Sequence, residues 1–391
     1  MLKTDFNFLW WNVAKGRRIL LLSILMFMLI IISCNQPASA QNAAIIPFDS
    51  LHWNIQAKEI AKENFQGKEC IKITDGAAYL KDNFENGIIE FDISFGKERC
   101  FPGLMFRIAD DKNFEFLYLR PHHSGDPDAI QYCPIFYGGD SWQLYTGEGY
   151  CAQAEFQMDA WMHVKVIIAG TKAELYLNNS SSPVLFAYQL QRVPASGGLA
   201  LDNHSPSTVR FANFSYTKSD NTPIKSIAKI IPPLAAEIIK KWKVSNIFPE
   251  NTLSGKTLLS NDDTKNLSWA ALQSEELGFV NIGKYIIRTE GNNTVFAKFN
   301  ITSNKEQIKK MSIGFSDRCK VYLDGKLLYA GDNGFKSRDY RFYGTIGFWD
   351  AIYLDLKKGA NEVMIAVSED FGGWGVEAKM DDLKDITVSK E

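Results

Sequence analysis

Apolar and polar residues alternate with a period of two along most of the chain. In Gly87-Ile88-Ile89-Glu90-Phe91-Asp92-Ile93-Ser94, the residues Ile89, Phe91 and Ile93 point to one side and Glu90, Asp92 and Ser94 to the other. That is the pattern of a strand with one face in a core and one polar face. Comparable strands are predicted at 114–119, 161–168, 173–177, 198–201 and 209–216, separated by Gly, Asn, Asp and Pro turns, with almost no helical periodicity. Over 217–241 the pattern breaks. Polar residues lead into Pro232-Pro233 and then Leu234-Ala235-Ala236-Glu237-Ile238-Ile239-Lys240-Lys241, which predicts a short helix with proline at its start. From Trp242 strand patterning returns: Asp324-Gly325 between apolar runs predicts a tight hairpin, and Lys358-Gly359-Ala360-Asn361 predicts another. The expected fold is all-β, with two tandem antiparallel β-sandwiches at 45–216 and 242–388 joined by a short helical linker at 217–241.

The N-terminus has a different character. Lys15, Arg17 and Arg18 precede an apolar run from Ile19 to Ile32, too short to span a bilayer comfortably, which predicts a signal peptide within residues 1–40. The run ends in Ile31-Ile32-Ser33-Cys34, which resembles a bacterial lipobox; lipidation of Cys34 would tether the protein to the membrane of the cell envelope. The alternative is cleavage after Ala38-Ser39-Ala40, giving a periplasmic or secreted protein. The remaining length, about 350 residues, exceeds what one core usually serves. A net charge of −2 offers no basic surplus for nucleic-acid phosphates, so nucleic acid is not an expected partner. Without Cys34, five cysteines are left, an odd number; Cys133 with Cys151 or with Cys100 is a candidate disulfide, and no Cys-x-x-Cys pair suggests zinc.

The densest polar cluster is the segment from Arg120 to Tyr132. Arg120, His122, Asp128 and Gln131 supply the donors and acceptors that vicinal hydroxyls require, while Tyr132 and Trp142 supply flat faces for the apolar side of a sugar ring. The competing expectation is that Arg120 and Asp128 merely pair to fix the loop. His122, His123 and Asp126 are a poor metal set, because adjacent residues point apart in extended chain, and no metal site is assigned. In the second half, Arg338, Asp339 and Trp374 are expected to approach one another at one end of a sandwich. They form either a second sugar platform or a buried ionic network under Trp374, whose glycine neighbours suggest tight backbone packing. No Gly-x-Ser-x-Gly elbow, phosphate loop or dinucleotide fingerprint occurs.

The strand at 87–94, Gly103-Leu104-Met105-Phe106-Arg107 and Trp161-Met162-His163-Val164-Lys165-Val166 leading into Ala173-Glu174-Leu175-Tyr176-Leu177 resemble the concanavalin A-like lectin/glucanase superfamily in its laminin-G-like branch. The second half, through 321–329, 337–342 and 361–375, is similar to the galactose-binding-like jelly rolls appended to glycoside hydrolases. The first resemblance implies lectin, glycosidase, lyase or adhesion roles, and a calcium ion at a sheet rim with Asp110, Asp111, Asp126 and Asp128 as candidate ligands. It also makes Glu90 and Asp92 candidates for the laminarinase-type signature Glu-x-Asp-x-x-Glu. Ser94 and Phe95 stand where the proton-donating Glu belongs, so no catalytic pair is assigned. The expected function is glycan binding or glycan-utilisation support without catalysis. The alternatives are a glycoside hydrolase or lyase using Glu90, Asp92, Glu115 or His122, and a protein-adhesion module.

Overall fold

The computed structural model describes residues 43–389, so Cys34 and the predicted export segment lie outside the described residues. Ile45–Glu391 forms one compact unit. Its first twelve strands are β1 Trp53–Phe65, β2 Lys68–Phe84, β3 Gly87–Phe95, β4 Gly103–Asp110, β5 Asn113–Leu119, β6 Ile130–Ile135, β7 Cys151–Ala152, β8 Met162–Ala169, β9 Lys172–Leu177, β10 Leu185–Ala187, β11 Gly197–Asn203 and β12 Val209–Lys218. They pair in the order β10-β9-β8-β3-β12-β2-β11-β4-β5-β6-β7, with β1 on β2. Strand β2 serves both leaves of the sandwich. Cys70–Ile73 pair with β12, and Ala77 to Phe84 pair with β11. At the changeover, Gly76 lies so close to β1 that a Cβ would sit 2.2 Å from the Gln56 carbonyl, which only glycine permits.

The alternation along β3 is realised: Ile89, Phe91, Ile93 and Phe95 are all buried in the core between the leaves, facing Leu104, Phe106, Leu117, Leu119 and Leu201. Each such side chain stabilises by about 1.5–3 kcal/mol when buried. A one-residue slip would exchange that row for Glu90, Asp92 and Ser94, so the register is strongly held.

The second half contains β13 Lys241–Ser245, β14 Trp269–Gln273, β15 Val280–Asn281, β16 Thr294–Ser303, β17 Gln307–Ser316, β18 Arg318–Leu323, β19 Lys326–Asp332, β20 Asp350–Leu356, β21 Gly359–Ser368, β22 Gly375–Met380 and β23 Ile386–Val388. One sheet runs β14-β13-β16-β21-β18-β19 with β23 on β16; the other runs β15-β22-β17-β20. The Asp324-Gly325 hairpin forms between β18 and β19, with positive φ at both turn residues, as a two-residue turn of this kind requires.

Three expectations are corrected. The 234–241 helix does not form: Glu237 and Ile239 hydrogen-bond to Met380 and Ala378, and Ile238 bridges Lys379, as an extended lead-in to β13. Eight residues make a weak isolated helix, and the β-branched Ile238-Ile239 pair gains more from the sheet edge. Among the described residues the one α-helical segment is Asn261–Thr264, closed by a Ser260/Asp263 capping box. The turn at Lys358–Asn361 is not a hairpin, since β20 and β21 lie in different sheets. There Asn361 donates to the carbonyls of Lys357, Gly359 and Ile301, closing an arch from one sheet to the other. Cys70, Cys100, Cys133, Cys151 and Cys319 are all unpaired thiols, so the candidate disulfide is absent.

The 136–150 loop, between β6 and β7, is the fastening point of the two halves. Gln143, fully buried, gives its backbone N–H to Gly372 O (3.0 Å) and its side-chain amide to Tyr343 O (2.7 Å). It accepts from Ile346 N (2.9 Å) and from the Ser316 hydroxyl (3.1 Å). Nearby, Tyr145 donates to Glu275 (2.8 Å), and Leu144 and Phe279 join the core of the first sandwich.

Candidate functional site

The inner side chains of β5, Glu115, Leu117 and Leu119, enter the core, so Phe114, Phe116 and Tyr118 stand on the outer face of the sheet. Pairing with β6 sets Gln131 opposite Tyr118 and Cys133 opposite Phe116. Arg120 leaves the end of β5, and its backbone N–H closes the loop onto Ala129 O (2.7 Å). Pro121–His123 then form a single 3-10 turn that brings the two imidazoles to 4.6 Å between ring centroids.

The loops after β19 (333–349) and β21 (369–374) stand over this face and complete a cleft of about 520 Å³. One wall carries Phe101, Phe116, Tyr118 and Trp142; the other carries Phe335, Tyr340, Tyr343 and Phe371. The walls touch at one end, where the Trp142 ring lies 6.2 Å from Phe335 and 5.9 Å from Phe371, edge to face. At the other end His123 meets Tyr343 at 5.7 Å.

The Arg120 guanidinium sits on the floor, 5.3 Å from the Tyr118 ring centroid and 5.5 Å from that of Trp142. It donates to the Asp128 carboxylate, to Gln131 Oε1 and to the Tyr118 hydroxyl (3.0 Å). Gln131 is held in turn by donating to the carbonyls of Trp142 and Tyr145, both at 3.0 Å. Arg120, Asp128 and Gln131 therefore pair internally, and in doing so fix Tyr118 and Trp142 as rigid faces.

Burial pushes the His122 imidazole down to about 4, helped by the positive charges of His123, Arg99 and Arg120, so it is neutral at ordinary pH. Its Nδ1 is buried without a hydrogen-bond partner. At the rim Asp202, itself buried, pairs with His204, whose pKa is raised chiefly by that hydrogen bond.

Of the sequence-predicted residues, Arg120, His122, Asp128 and Trp142 line the cleft, and Gln131 lies beneath its floor. Two others are corrected. Tyr132 alternates inward on β6, is fully buried, and donates its hydroxyl to Glu115, so it offers no face to a ligand. Trp374 is core: it is 3% exposed and donates its indole N–H to Val367 O, while a Cβ on Gly373 or Gly375 would overlap Leu144. Arg338 pairs with Asp350 and Asp339 with Arg341, and neither lines the cleft.

Glu90 and Asp92 stand on β3, in the other leaf. Asp92 is bound by Lys68 (2.7 Å), His163 (2.9 Å) and Asn213 (2.6 Å). Burial would raise its pKa, but these three partners outweigh it and hold the carboxyl at about 2. Glu90 faces Lys165 at 3.4 Å. Glu115 points into the core, where burial raises it to about 7 against the pull of Tyr132 and Arg107. None of the three carboxyls reaches the cleft.

The donor set does not fit calcium. Oxygen or nitrogen atoms of His123, Asp126 and Asp128 lie within 4.8 Å of one another, the one such grouping among the described residues. Arg120 already occupies Asp128, and His123 is hydrogen-bonded to Asp126 at 2.8 Å, whereas Ca²⁺ requires six to eight oxygens. Asp110 caps its own turn by accepting from Lys112 N and Asn113.

Sequence reasoning missed Phe101, Phe116, Tyr118, Tyr343 and Phe371 as lining residues. A signal existed for two of them: Phe114, Phe116 and Tyr118 occupy the outward positions of β5, where a solvated sheet face carries polar residues.

No family model matches the chain, and no curated protein matches it. Among solved structures, the carbohydrate-binding module CBM66 from Bacillus subtilis aligns at 19% identity over 44% of this chain and 99% of its own, with a TM-score of 0.35. A β-glucanase from Bacillus licheniformis aligns at 8% identity over 45% of this chain and 96% of its own, at 0.33. A Bacillus subtilis protein with a galectin-like fold aligns at 11% over 42% and 89%, at 0.31. The structural neighbours are thus carbohydrate-binding and carbohydrate-cleaving β folds. Superpositions this loose assign no function, which has to come from the cleft.

Proposed function

We propose that the chain binds carbohydrate, with a sugar ring held in the cleft between the outer face of β5–β6 and the loops after β19 and β21. The observation that carries this reading is the combination of facing aromatic walls with a floor of fixed polar groups, Arg120 braced by Asp128 and Gln131 between Tyr118 and Trp142. Pyranoses have flat apolar C–H faces and a polar edge, and such a cleft matches both while losing little side-chain entropy on binding. Binding is favoured over cleavage because hydrolysis by paired carboxyl groups needs two that are free to act. Of the three carboxyl groups in the lining, Asp128 and Asp202 are each committed to a cationic partner, which leaves Asp140 without a second free carboxyl. A hydrolase or lyase remains the second reading, on the one observation that Asp202 and His204 form an acid–base pair at the rim.

Lipid anchoring at Cys34 completes the proposal by placing the cleft at the cell envelope. Loss of membrane partitioning in Cys34→Ala would accompany it. The test of function is calorimetry of the chain from Gln41 onward against a panel of polysaccharides, with product assays on every hit. Saturable binding without new reducing ends or unsaturated products supports the reading, and cleavage of a bound glycan transfers it to the Asp202–His204 pair.

A further inference from the structure

The charges around the cleft are unequally committed. Arg120 is matched by Asp128, and His204 by Asp202. Of the remaining charged groups in the lining, Arg99 and Lys336 have no carboxylate within salt-bridge distance among the described residues, and Asp140 stands alone against them. Asp140 is itself within electrostatic reach of Arg288. Arg99 and Lys336 occupy opposite walls, and each cationic head lies over an aromatic ring of its own wall: Arg99 Cζ is 5.4 Å from the Phe101 centroid, and Lys336 Nζ is 5.0 Å from that of Phe335. The rings hold the two cations at the mouth without neutralising them.

We infer that the glycan taken by this cleft is anionic, carrying carboxylate or sulfate groups that Arg99 and Lys336 engage from either side; this rests on the carbohydrate-binding reading. The His122 imidazole behind them is depressed mainly by burial, with His123, Arg99 and Arg120 contributing and Asp128 opposing. At the mouth of an aromatic-walled cleft the two uncompensated cations favour an anionic ligand both in steering and in the bound state.

The test uses probe pairs that share a sugar backbone and differ at the charged group, within a wider array of neutral and anionic polysaccharides: polygalacturonate against its methyl ester for carboxylate, dextran sulfate against dextran for sulfate. The expected result is that the charged member of a pair binds at least roughly tenfold more tightly. Arg99→Gln and Lys336→Gln should each weaken it by roughly tenfold, and Trp142→Ala by roughly thirtyfold or more. Both cations are exposed, so the substitutions leave the fold intact. Binding confined to neutral glycans, dependent on Trp142 but indifferent to Arg99 and Lys336, overturns the anionic assignment and leaves the carbohydrate reading standing. Binding of anionic polymers that ignores Trp142→Ala overturns it as surface adsorption. Absence of binding across the array overturns both.

Discussion

The first sandwich has two outward faces, and they handle polar side chains in opposite ways. On the β3 leaf, Lys68, Glu90, Asp92, His163, Lys165 and Asn213 satisfy one another in a lattice of ion pairs and hydrogen bonds. On the β5–β6 leaf, the polar groups are fewer and point under the surface, and Phe116, Tyr118 and Trp142 line a cleft between them, Tyr118 itself largely buried. A face whose polar groups are mutually satisfied presents little unmet chemistry to a ligand. A face whose polar groups fasten aromatic rings in place presents a rigid receptor. The two leaves diverge because the second half of the chain stands over one and not the other, so a surface that would otherwise be an apolar liability becomes a cleft.

This contrast can be broken at four places. Trp374→Ala has the largest expected effect, about 3–5 kcal/mol lost from unfolding free energy, because a large side chain leaves a cavity in the second core. Urea denaturation checks it; unchanged stability with lost ligand binding would return Trp374 to the receptor. Trp142→Ala acts on the other side of the comparison. It should cost about 2 kcal/mol or more in glycan binding, a thirtyfold or larger rise in Kd by calorimetry, with a smaller change in the urea midpoint.

Gln143→Leu keeps the volume but leaves the Tyr343 carbonyl and Ser316 hydroxyl without their seam partner. A stability loss of about 2 kcal/mol is expected, together with weakened binding, since the second wall is then free to drift. Retained binding at full strength would show that the walls do not need this seam.

Asp92→Asn has the smallest expected effect, at most about 2 kcal/mol of stability at neutral pH and none on binding. The folded carboxyl sits at about 2 against an ordinary 3.8. Its contribution is therefore fully present above the ordinary value and is lost as pH falls from there through about 2, and the variant should lack that part of the acid transition. Loss of binding or of catalysis in Asp92→Asn would overturn the division between the leaves.

Much of the architecture was legible in the sequence because a period-two pattern over Ile89, Phe91 and Ile93 has one burial solution, and because Asp324-Gly325 between apolar runs has one turn. The 234–241 segment was misread because local propensity there is weak and a neighbouring sheet edge, invisible in the sequence, won it. For the site, the Arg120–Gln131 cluster stood out by composition, and residue types announced its chemistry. Tyr132 was misplaced by one position of alternation, a single strand step that separates the outer face from the core. The second wall was hidden further, since Tyr343 and Phe371 are separated from Tyr118 by more than two hundred residues and nothing local ties them to it.

Alternation, turn residues and the composition of the 120–142 region, all short-range properties, determined that this chain would form antiparallel sandwiches and carry a polar–aromatic loop cluster. Which carboxylates are spent in ion pairs, which aromatics are core and which are walls, and that Gln143 locks one half to the other were decided by tertiary structure. Those outcomes depend on contacts between residues far apart in the chain, whose free energy exists only once both sheets are formed and packed.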